Sequence, residues 1–265
     1  MSTWIFLRGL TRERRHWGDF PEAFARAMPA ARVIALDLPG NGRLVATPSP
    51  PDVDAMAQFC RAELQRLGVA PPYHLLAMSL GAMVATAWMF GHPDEIAAGV
   101  LINTSMRPFS PPHWRLRPRN YASLLRLALP GVAAATREPA IFAMTSRRPQ
   151  LAASTLPQWT AWRDAAPVAA VNALRQVLAA VRYRAPPGRP RPPALILGSR
   201  RDQLVDSRCS RELARQWRAP LVEHPDAGHD LPLDDAPWVA LQVVMWLEAL
   251  AAGDGSGPAS GFGQR

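Results

Sequence analysis

The segment around Ser79 could supply a nucleophile. A short apolar run ends just before this serine, and a helical pattern begins directly after it, at Leu80. A tight turn from a strand into a helix lifts a serine Oγ clear of the backbone, and small neighbours prevent collisions. Ala77 and Gly81 are the small residues two positions before and after it. An ordinary serine at a helix N-cap gives the same pattern, so the motif alone leaves both interpretations open.

Candidates for an acid and a base follow further along the chain. Asp202 comes just beyond an apolar run, and His229 lies on a glycine-containing loop before the last helical pattern. A serine hydroxyl is a poor nucleophile unless a base accepts its proton, and a neutral imidazole, with a pKa of about 6.5 in free histidine, suits that role. A carboxylate beside the imidazole fixes its tautomer and stabilises its cation. Asp206 and Asp226 are alternative acids, and His224 is an alternative base.

The order serine, aspartate, histidine resembles the α/β-hydrolase family, whose members carry these groups in that order on loops that follow strands. The sequence Asp-Leu-Pro-Gly-Asn-Gly at 37–42 is also similar to the loop after that family's second parallel strand. The resemblance runs from Trp4 to about Leu250, except for a middle segment that does not align. Ala77 replaces the usual glycine of the elbow. The strand predicted at Trp4–Leu7 resembles the family's third strand, so we expect the usual leading antiparallel hairpin to be absent. The resemblance implies that the serine is the nucleophile, the aspartate the acid and the histidine the base.

The same resemblance implies an oxyanion hole built from two backbone amides. One is the N–H of Leu80, directly after the serine, and the other is the N–H of Leu10, in the loop after the first strand. Arg8 stands where the family commonly has histidine, which alters the local hydrogen bonding but leaves the donor in place. Arg8 and Met78 are the predicted substrate-binding residues.

Short apolar runs alternate with amphipathic helical patterns, which is typical of βαβ units and a mostly parallel sheet. The sequence predicts an α/β-hydrolase fold with a mostly parallel sheet of about six strands, flanked by helices, and with an inserted helical lid. The strands are predicted at Trp4–Leu7, Arg32–Leu36, Tyr73–Ala77, Ala98–Asn103, Ala194–Gly198 and Pro220–His224. The core helices are predicted at Trp17–Met28, Asp52–Leu67, Leu80–Phe90, Ser207–Trp217 and Asp235–Leu250.

The alternation stops between the fourth and fifth predicted strands. This middle part contains helical patterns at Tyr121–Leu129, Leu156–Ala165 and Val168–Val181 and no strand pattern. We therefore assign residues 1–104 and 191–252 to the hydrolase core and residues 105–190 to a helical lid. Residues 253–265 are rich in glycine and serine and are predicted to be a disordered tail.

Charge is distributed unevenly along the chain. All 30 basic residues are arginines, and the formal net charge is +9. The predicted lid has 13 arginines and 2 acidic residues, whereas the two core segments are close to neutral. A field of one sign attracts anions, so the lid favours an acyl substrate that is anionic or bound to a carrier. The alternative is a GC-rich coding bias that placed arginine wherever a cation was tolerated, and the net charge does not by itself favour nucleic acid.

Several other classes of protein are disfavoured. No apolar run approaches the roughly 20 residues that span a bilayer, and the first residues do not resemble a secretory signal, so we expect a cytoplasmic protein without a transmembrane segment. The two cysteines, Cys60 and Cys209, are far apart and predict neither a disulfide nor a metal site. Gly40-Asn-Gly42 does not fit a dinucleotide-binding loop. We therefore expect no cofactor and no metal, and the oligomeric state stays open.

These features predict a serine hydrolase that acts on a carboxylic ester or thioester through an acyl-enzyme. The fold also includes C–C bond hydrolases and lyases, which share the same three groups. A ligand-binding member without activity is a further alternative, because a fold alone does not establish catalysis.

Overall fold

The computed structural model describes residues 1–129 and 131–253. Six strands form one sheet in the order β2-β1-β3-β4-β5-β6, and every neighbouring pair is parallel. Because the strands are parallel, their carboxyl ends lie along one edge of the sheet, and the loops that leave them are neighbours there. The strands are β1 Ser2–Leu7, β2 Ala31–Leu36, β3 Tyr73–Met78, β4 Ile96–Ile102, β5 Ala194–Ser199 and β6 Leu221–His224.

Eleven α-helical elements are present in the described ranges. The core contains α1 Phe20–Ala27, α2 Val53–Arg66, α3 Leu80–Gly91, α9 Arg208–Trp217, α10 Leu231–Asp234 and α11 Ala236–Ala251. Five helices lie between β4 and β5, and they are α4 Pro112–Arg115, α5 Tyr121–Ala128, α6 Ala134–Thr145, α7 Ala152–Ala165 and α8 Ala170–Arg182. Residues 105–190, which hold these five helices, are called the inserted segment below.

The sheet separates two apolar layers because alternate side chains of a strand point to opposite faces. In β1, Trp4 and Phe6 enter the layer that α1 and α11 cover. Ile5 and Leu7 enter the other layer, which contains buried residues of α2, α3 and α9. The sheet is thus buried on both faces, as a parallel α/β sheet requires, and the fold class expected from the sequence is confirmed.

The predicted elements differ from the observed ones at a few ends. Asn103, predicted as the last residue of β4, lies outside the strand with a φ of 45°, in the left-handed region. Helix α6 was not predicted, and α7 begins at Ala152, four residues before its predicted start. Both helices contain an internal proline, Pro139 and Pro157. Proline removes one helical hydrogen bond and normally breaks a helix, so the sequence pattern argued against helix there.

Two further expectations concern the ends of the chain and membranes. The predicted tail, 253–265, lies outside the described residues except for Gly253. In the part that is described, no helix is both long and apolar enough to cross a membrane.

Candidate active site

Ser79 lies in a sharp turn between β3 and α3. Its φ of 54° and ψ of −120° are sparsely populated for a residue with a side chain, and such strain clusters at functional sites. The turn is held because Ser79 N donates to the Ile102 carbonyl at 3.0 Å and Thr104 Oγ1 donates to the Ser79 carbonyl at 3.0 Å. The turn therefore has the geometry expected of a nucleophile elbow.

Glycines permit the close approaches around this turn. A Cβ atom at Gly81 would lie 2.4 Å from the Leu7 carbonyl oxygen, and a Cβ at Gly9 would lie 3.0 Å from Ser79 Cβ. Real Cβ atoms are not found at the first of these distances, so α3 can begin this near β1 only with glycine at position 81. The loop that follows β1 thus lies directly against Ser79.

Asp202 and His229 are hydrogen-bonded at the neighbouring strand ends. Asp202 follows β5, His229 follows β6, and His229 Nδ1 lies 2.7 Å from Asp202 Oδ2. The other carboxylate oxygen of Asp202 accepts backbone N–H groups from Leu204 at 2.8 Å and Val205 at 2.9 Å. Both members of the pair are buried. An acceptor held this firmly fixes the orientation of the imidazole ring.

The alternative acids and base have other partners. Asp206 pairs with Arg208, and the hydrogen bonds from that arginine lower the pKa of Asp206 to about 2. The side chain of Asp226 is partly exposed to solvent and pairs with Arg148. His224 Nε2 lies 3.2 Å from a carboxylate oxygen of Asp235, the N-cap residue of α11.

Two consecutive residues after β4, Asn103 and Thr104, connect the turn at Ser79 with the loop that carries His229, which is called the histidine loop below. Asn103 Nδ2 donates to the His229 carbonyl at 2.9 Å and to Ser199 Oγ at 2.9 Å, and Asn103 Oδ1 accepts from Ser199 N at 2.8 Å. Thr104, the next residue, holds the Ser79 carbonyl. The backbones at Ser79 and His229 are therefore bonded to adjacent residues. Ser79 Oγ itself makes no hydrogen bond in the described part of the chain, so its link to His229 stays a prediction.

The two predicted oxyanion donors are the N–H of Leu10, in the loop after β1, and the N–H of Leu80, the first residue of α3. Within residues 1–129 and 131–253, neither Leu10 N nor Leu80 N has a hydrogen-bond acceptor. Next to Leu10, Thr11 has a φ of 55° and donates its N–H to Gln176 Oε1 at 2.8 Å. The loop after β1 is thus tied to α8 of the inserted segment by a hydrogen bond directly beside Leu10.

The two predicted substrate-binding residues are both buried. The Arg8 guanidinium forms a two-pronged ion pair with Asp230, at 3.0 and 2.5 Å, and lies 4.8 Å from the centre of the Trp17 ring. Arg8 thus holds the residue next to His229, a contact that the sequence did not predict. Met78 lies in the apolar layer beside α1 and α11. Their contact with substrate stays a prediction.

The inserted segment also holds the histidine loop. Asp234, on α10, accepts hydrogen bonds from Ser146 Oγ at 2.5 Å, Arg147 N at 2.8 Å and Gly228 N at 2.7 Å. Burial raises the pKa of Asp234. One carboxylate thereby links the residues after α6 to the loop that carries His229. Asp230 N adds a bond to the Thr145 carbonyl at 2.8 Å.

A buried charge cluster joins the loop after β1 to helices α6 and α7. Glu138, which is fully buried, pairs with Arg12 at 2.6 Å and with Arg163. The Arg12 guanidinium also lies 4.2 Å from the centre of the Trp159 ring and 2.9 Å from His16 Nε2. Burial lowers the pKa of Arg12 to about 10. These contacts fix the inserted segment to the rim of the sheet.

Other chemistry finds little support in the described ranges. No group of three or more histidine, cysteine or carboxylate side chains there could hold a metal ion. Burial raises the pKa of Cys60 to about 12 and that of Cys209 to about 11, so neither thiol is a ready nucleophile at neutral pH.

A family model and several known proteins match this chain. The model described as Alpha/beta hydrolase family matches residues 4–241. A pimeloyl-[acyl-carrier protein] methyl ester esterase of Chromobacterium violaceum is 35% identical over 97 residues, which are 34% of this chain and 35% of that relative. The match therefore spans about a third of the relative's length.

Solved structures share the fold at low identity. A thermophilic esterase from Thermogutta terrifontis has a TM-score of 0.70 at 20% identity, covering 94% of this chain and 90% of that chain. The enol-lactonase from Burkholderia xenovorans LB400 has a TM-score of 0.73 at 19% identity, covering 93% of this chain and 91% of that chain. At these identities the likeness shows the fold alone.

Proposed function

Since the chain belongs to the alpha/beta hydrolase family, we propose that it is a serine hydrolase with Ser79 as nucleophile, His229 as general base and Asp202 as orienting acid. The observation that carries the proposal is the 2.7 Å hydrogen bond between His229 Nδ1 and Asp202 Oδ2. The loop of His229 is bonded to Asn103, and the next residue, Thr104, is bonded to the carbonyl of the strained Ser79.

The hydrogen bond to Asp202 determines where the imidazole proton resides. A carboxylate can only accept, so Nδ1 carries the proton and Nε2 keeps a free lone pair. That lone pair accepts the Ser79 hydroxyl proton as Oγ attacks the carbonyl carbon of the substrate. The Asp202 carboxylate then faces the newly formed imidazolium and stabilises it. Catalytic hydrogen bonds to the nucleophile often close only when substrate is present.

The remaining steps use the backbone amides and one water. The tetrahedral oxyanion accepts hydrogen bonds from Leu10 N and Leu80 N, which have no acceptor in the described chain. Collapse of this intermediate breaks the bond to the alcohol or thiol, and His229 returns the proton to that leaving group. Water, deprotonated by the same imidazole, then attacks the acyl-enzyme and releases the acid together with free Ser79.

The proposed substrate is a carboxylic ester or thioester. This substrate carries negative charge itself, or its acyl group is bound to an acidic carrier. The name of the curated relative refers to an ester on an acyl carrier protein, and the inserted segment has 13 arginines against 2 acidic residues. We further propose that this segment acts as a lid over the Ser79 turn. It contacts both the loop after β1 and the histidine loop.

Turnover by a serine variant tests the chemistry. We expect Ser79→Ala to lose about 10⁴-fold to 10⁶-fold in rate on the best substrate among p-nitrophenyl esters of graded length and acyl thioesters. Ser154→Ala, at an exposed serine of α7, is the matched control and should keep wild-type turnover. Equal activity of Ser79→Ala and wild type would rule out the mechanism. Stoichiometric binding of esters without turnover would favour a ligand-binding protein instead.

The salt dependence of turnover tests the charge of the substrate. Between about 20 and 500 mM salt the Debye length falls from roughly 20 to 4 Å. If the arginines of the inserted segment attract the substrate, kcat/KM for an anionic thioester should fall steeply over this range, while that for a neutral ester of the same acyl chain should not. Parallel and shallow curves for the two substrates would contradict electrostatic attraction and leave the arginine excess as a compositional bias.

A further inference from the structure

Helix α8 buries polar side chains and exposes aliphatic ones, which is the reverse of an ordinary surface helix. Its buried face carries Ala179 and the polar residues Asn172 and Gln176, which are 5% and 0% exposed. Its outer face carries Val171, Leu174, Val177 and Val181, which are between 41% and 58% exposed. These four residues are called the α8 stripe. They lie three or four positions apart, and therefore form one continuous ridge along the helix.

Hydrogen bonds hold α8 in this orientation. Gln176 accepts from Thr11 N at 2.8 Å and donates to Asn41 Oδ1 at 3.0 Å and to the Pro39 carbonyl at 3.2 Å. Asn172 Oδ1 accepts from Ser49 N at 2.9 Å. If the helix rotated to bury the stripe, these buried polar groups would lose their partners. Each unsatisfied group would then cost more free energy than an ordinary hydrogen bond contributes to stability. The exposure of the stripe is thus built into the fold.

Aliphatic exposure recurs elsewhere in the same segment. On α5 and just after it, Tyr121, Leu125 and Leu129 are 41%, 71% and 58% exposed. They follow one another at four-residue intervals, so α5 also presents an apolar face to solvent. Large contiguous apolar surfaces on a protein mark sites of interaction rather than ordinary surface.

Arginines without carboxylate partners accompany both helices. Arg175 and Arg182 of α8, seven positions apart, lie on the same side of that helix at the border of the stripe, and Arg126 lies on α5. Among the described residues none of these three guanidinium groups pairs with a carboxylate. Of the 13 arginines of the inserted segment, Arg117, Arg148 and Arg163 pair in this way and the other ten do not pair within the described part of the chain. Among those ten, Arg175 and Arg182 lie at the border of the α8 stripe.

We propose that the α8 stripe docks on an anionic phospholipid surface. Aliphatic side chains along one face with arginines at the border are typical of helices that lie in a membrane interface. The ridge is convex, and a fluid lipid layer accepts a convex ridge without a matching groove. The aliphatic side chains would enter the acyl boundary while Arg175 and Arg182 bind lipid phosphates.

A second copy of the chain fits this surface less well. Symmetric pairing through α8 would place one inserted segment against another, and each has 13 arginines against 2 acidic residues. Like charges that face each other across an interface oppose association. An acidic lipid surface has the complementary charge instead.

Flotation with vesicles tests the proposal on the full chain. Vesicles of phosphatidylglycerol mixed with phosphatidylcholine serve as the anionic surface, and phosphatidylcholine alone serves as the neutral one. We expect wild type to bind the anionic vesicles, and V171S/L174S/V177S to bind them at least about tenfold more weakly. R175Q/R182Q should also bind more weakly, and about 500 mM salt should weaken wild-type binding.

Matched controls carry equivalent changes on the core. Leu241→Ser alters an exposed leucine of α11, and R26Q/R32Q removes two exposed arginines. Both should bind vesicles as wild type does. The stripe variant should keep wild-type turnover of a short soluble ester, which shows that it folds. Ser79→Ala should bind vesicles normally, so a failure of the proposed chemistry would not be confused with a failure of docking.

Four results would overturn the proposal. Wild type could fail to bind anionic vesicles, or the stripe variant could bind them as well as wild type. Sedimentation velocity could show a dimer that V171S/L174S/V177S dissociates, which would assign the stripe to a second copy. Wild type could ignore vesicles and bind a purified acidic acyl carrier protein through the stripe, which would assign it to a protein partner.

Discussion

Helices α8 and α9 are both amphipathic, but α9 exposes its polar face to solvent and α8 exposes an aliphatic face. Helix α9 buries Cys209, Leu213 and Trp217 and exposes arginines and a glutamine. Helix α8 buries an asparagine and a glutamine and exposes valine and leucine. Burial of apolar area orients α9. On α8 only Ala179 is a buried apolar residue, so hydrogen bonds to the loops at the sheet edge contribute most of its orientation.

The same contrast holds at the junction between the two regions. The core meets its helices through two apolar layers. The inserted segment adds Met106, Ala179, Tyr183 and Ala185 to one of these layers. At the loops around Ser79 and His229, however, its contacts are made through three buried polar side chains, Glu138, Gln176 and Asp234. Buried polar contacts are directional, so they fix the position of the segment relative to these loops more narrowly than apolar contact would.

The largest expected effect lies in the core. Asp202→Asn should lower kcat on the order of 10⁴-fold, because an amide cannot hold the imidazole in the tautomer that leaves Nε2 free. Steady-state kinetics on the best ester would measure it. Asp206→Asn, which loses only the pairing with Arg117 and Arg208, should keep most of the activity. If Asp206→Asn lost activity and Asp202→Asn kept it, the orienting acid would be Asp206 and not Asp202.

The next effect lies at the junction. Glu138→Gln should lower the free energy of unfolding by about 3 to 5 kcal/mol, because it leaves Arg12 and Arg163 as buried cations without a counter-charge. Urea denaturation would measure this loss. Glu63→Gln, which breaks an exposed pair with Arg66, should cost at most about 1 kcal/mol. Losses of similar size in both variants would mean that the buried cluster does not fix the inserted segment.

Asn103 tests the link between the serine turn and the histidine loop. Asn103→Gly permits the same backbone φ of 45° but removes the bonds to Ser199 and to the His229 carbonyl. We expect the free energy of unfolding to fall by about 1 to 3 kcal/mol and kcat to fall more than KM changes. A stable variant with unaltered kcat would show that Asn103 does not position His229.

The smallest effect is a pH dependence at the junction. Burial, together with the charges of Arg12, Arg8 and Arg163, lowers the pKa of His16 well below its usual value. His16 Nε2 accepts a hydrogen bond from Arg12, so the folded protein keeps this ring neutral. The unfolded chain takes up a proton below about pH 6.5, and the free energy of unfolding should fall there by about 1.4 kcal/mol per pH unit.

The matching variants isolate that contribution. In His16→Gln the difference in unfolding free energy between pH 6.5 and 5.5 should be smaller than in wild type by about 1 kcal/mol, because the unfolded imidazole is already half protonated at pH 6.5. The exposed His113→Gln should reproduce the wild-type difference. If His16→Gln and wild type lose stability equally over this range, the ring does not remain neutral in the fold.

Much of the core could be predicted because its signals are local. Apolar runs and turns located all six strands within a few residues, and chain order placed Ser79, Asp202 and His229 on loops at the same sheet edge. Asn103 was assigned to β4, since nothing in the sequence shows that its backbone turns left-handed and that its side chain binds residues almost a hundred positions away.

The inserted segment was harder to predict for the same reason. The pattern of α8 shows two unlike faces, but which face is buried depends on loop groups at Thr11, Asn41 and Ser49, more than 120 positions earlier. The contacts of Arg8 with Asp230 and of Glu138 with Arg12 also join residues more than 120 positions apart. Directional contacts between remote residues leave no periodic signal, whereas apolar burial does.

Covalent labelling of the nucleophile tests the central claim most directly. A fluorophosphonate should react with wild type once per chain, and peptide mapping should place the adduct on Ser79. Asp202→Asn should react much more slowly at neutral pH, and Ser79→Ala should not react. An adduct on any other residue, or full labelling of Ser79→Ala, would contradict the account.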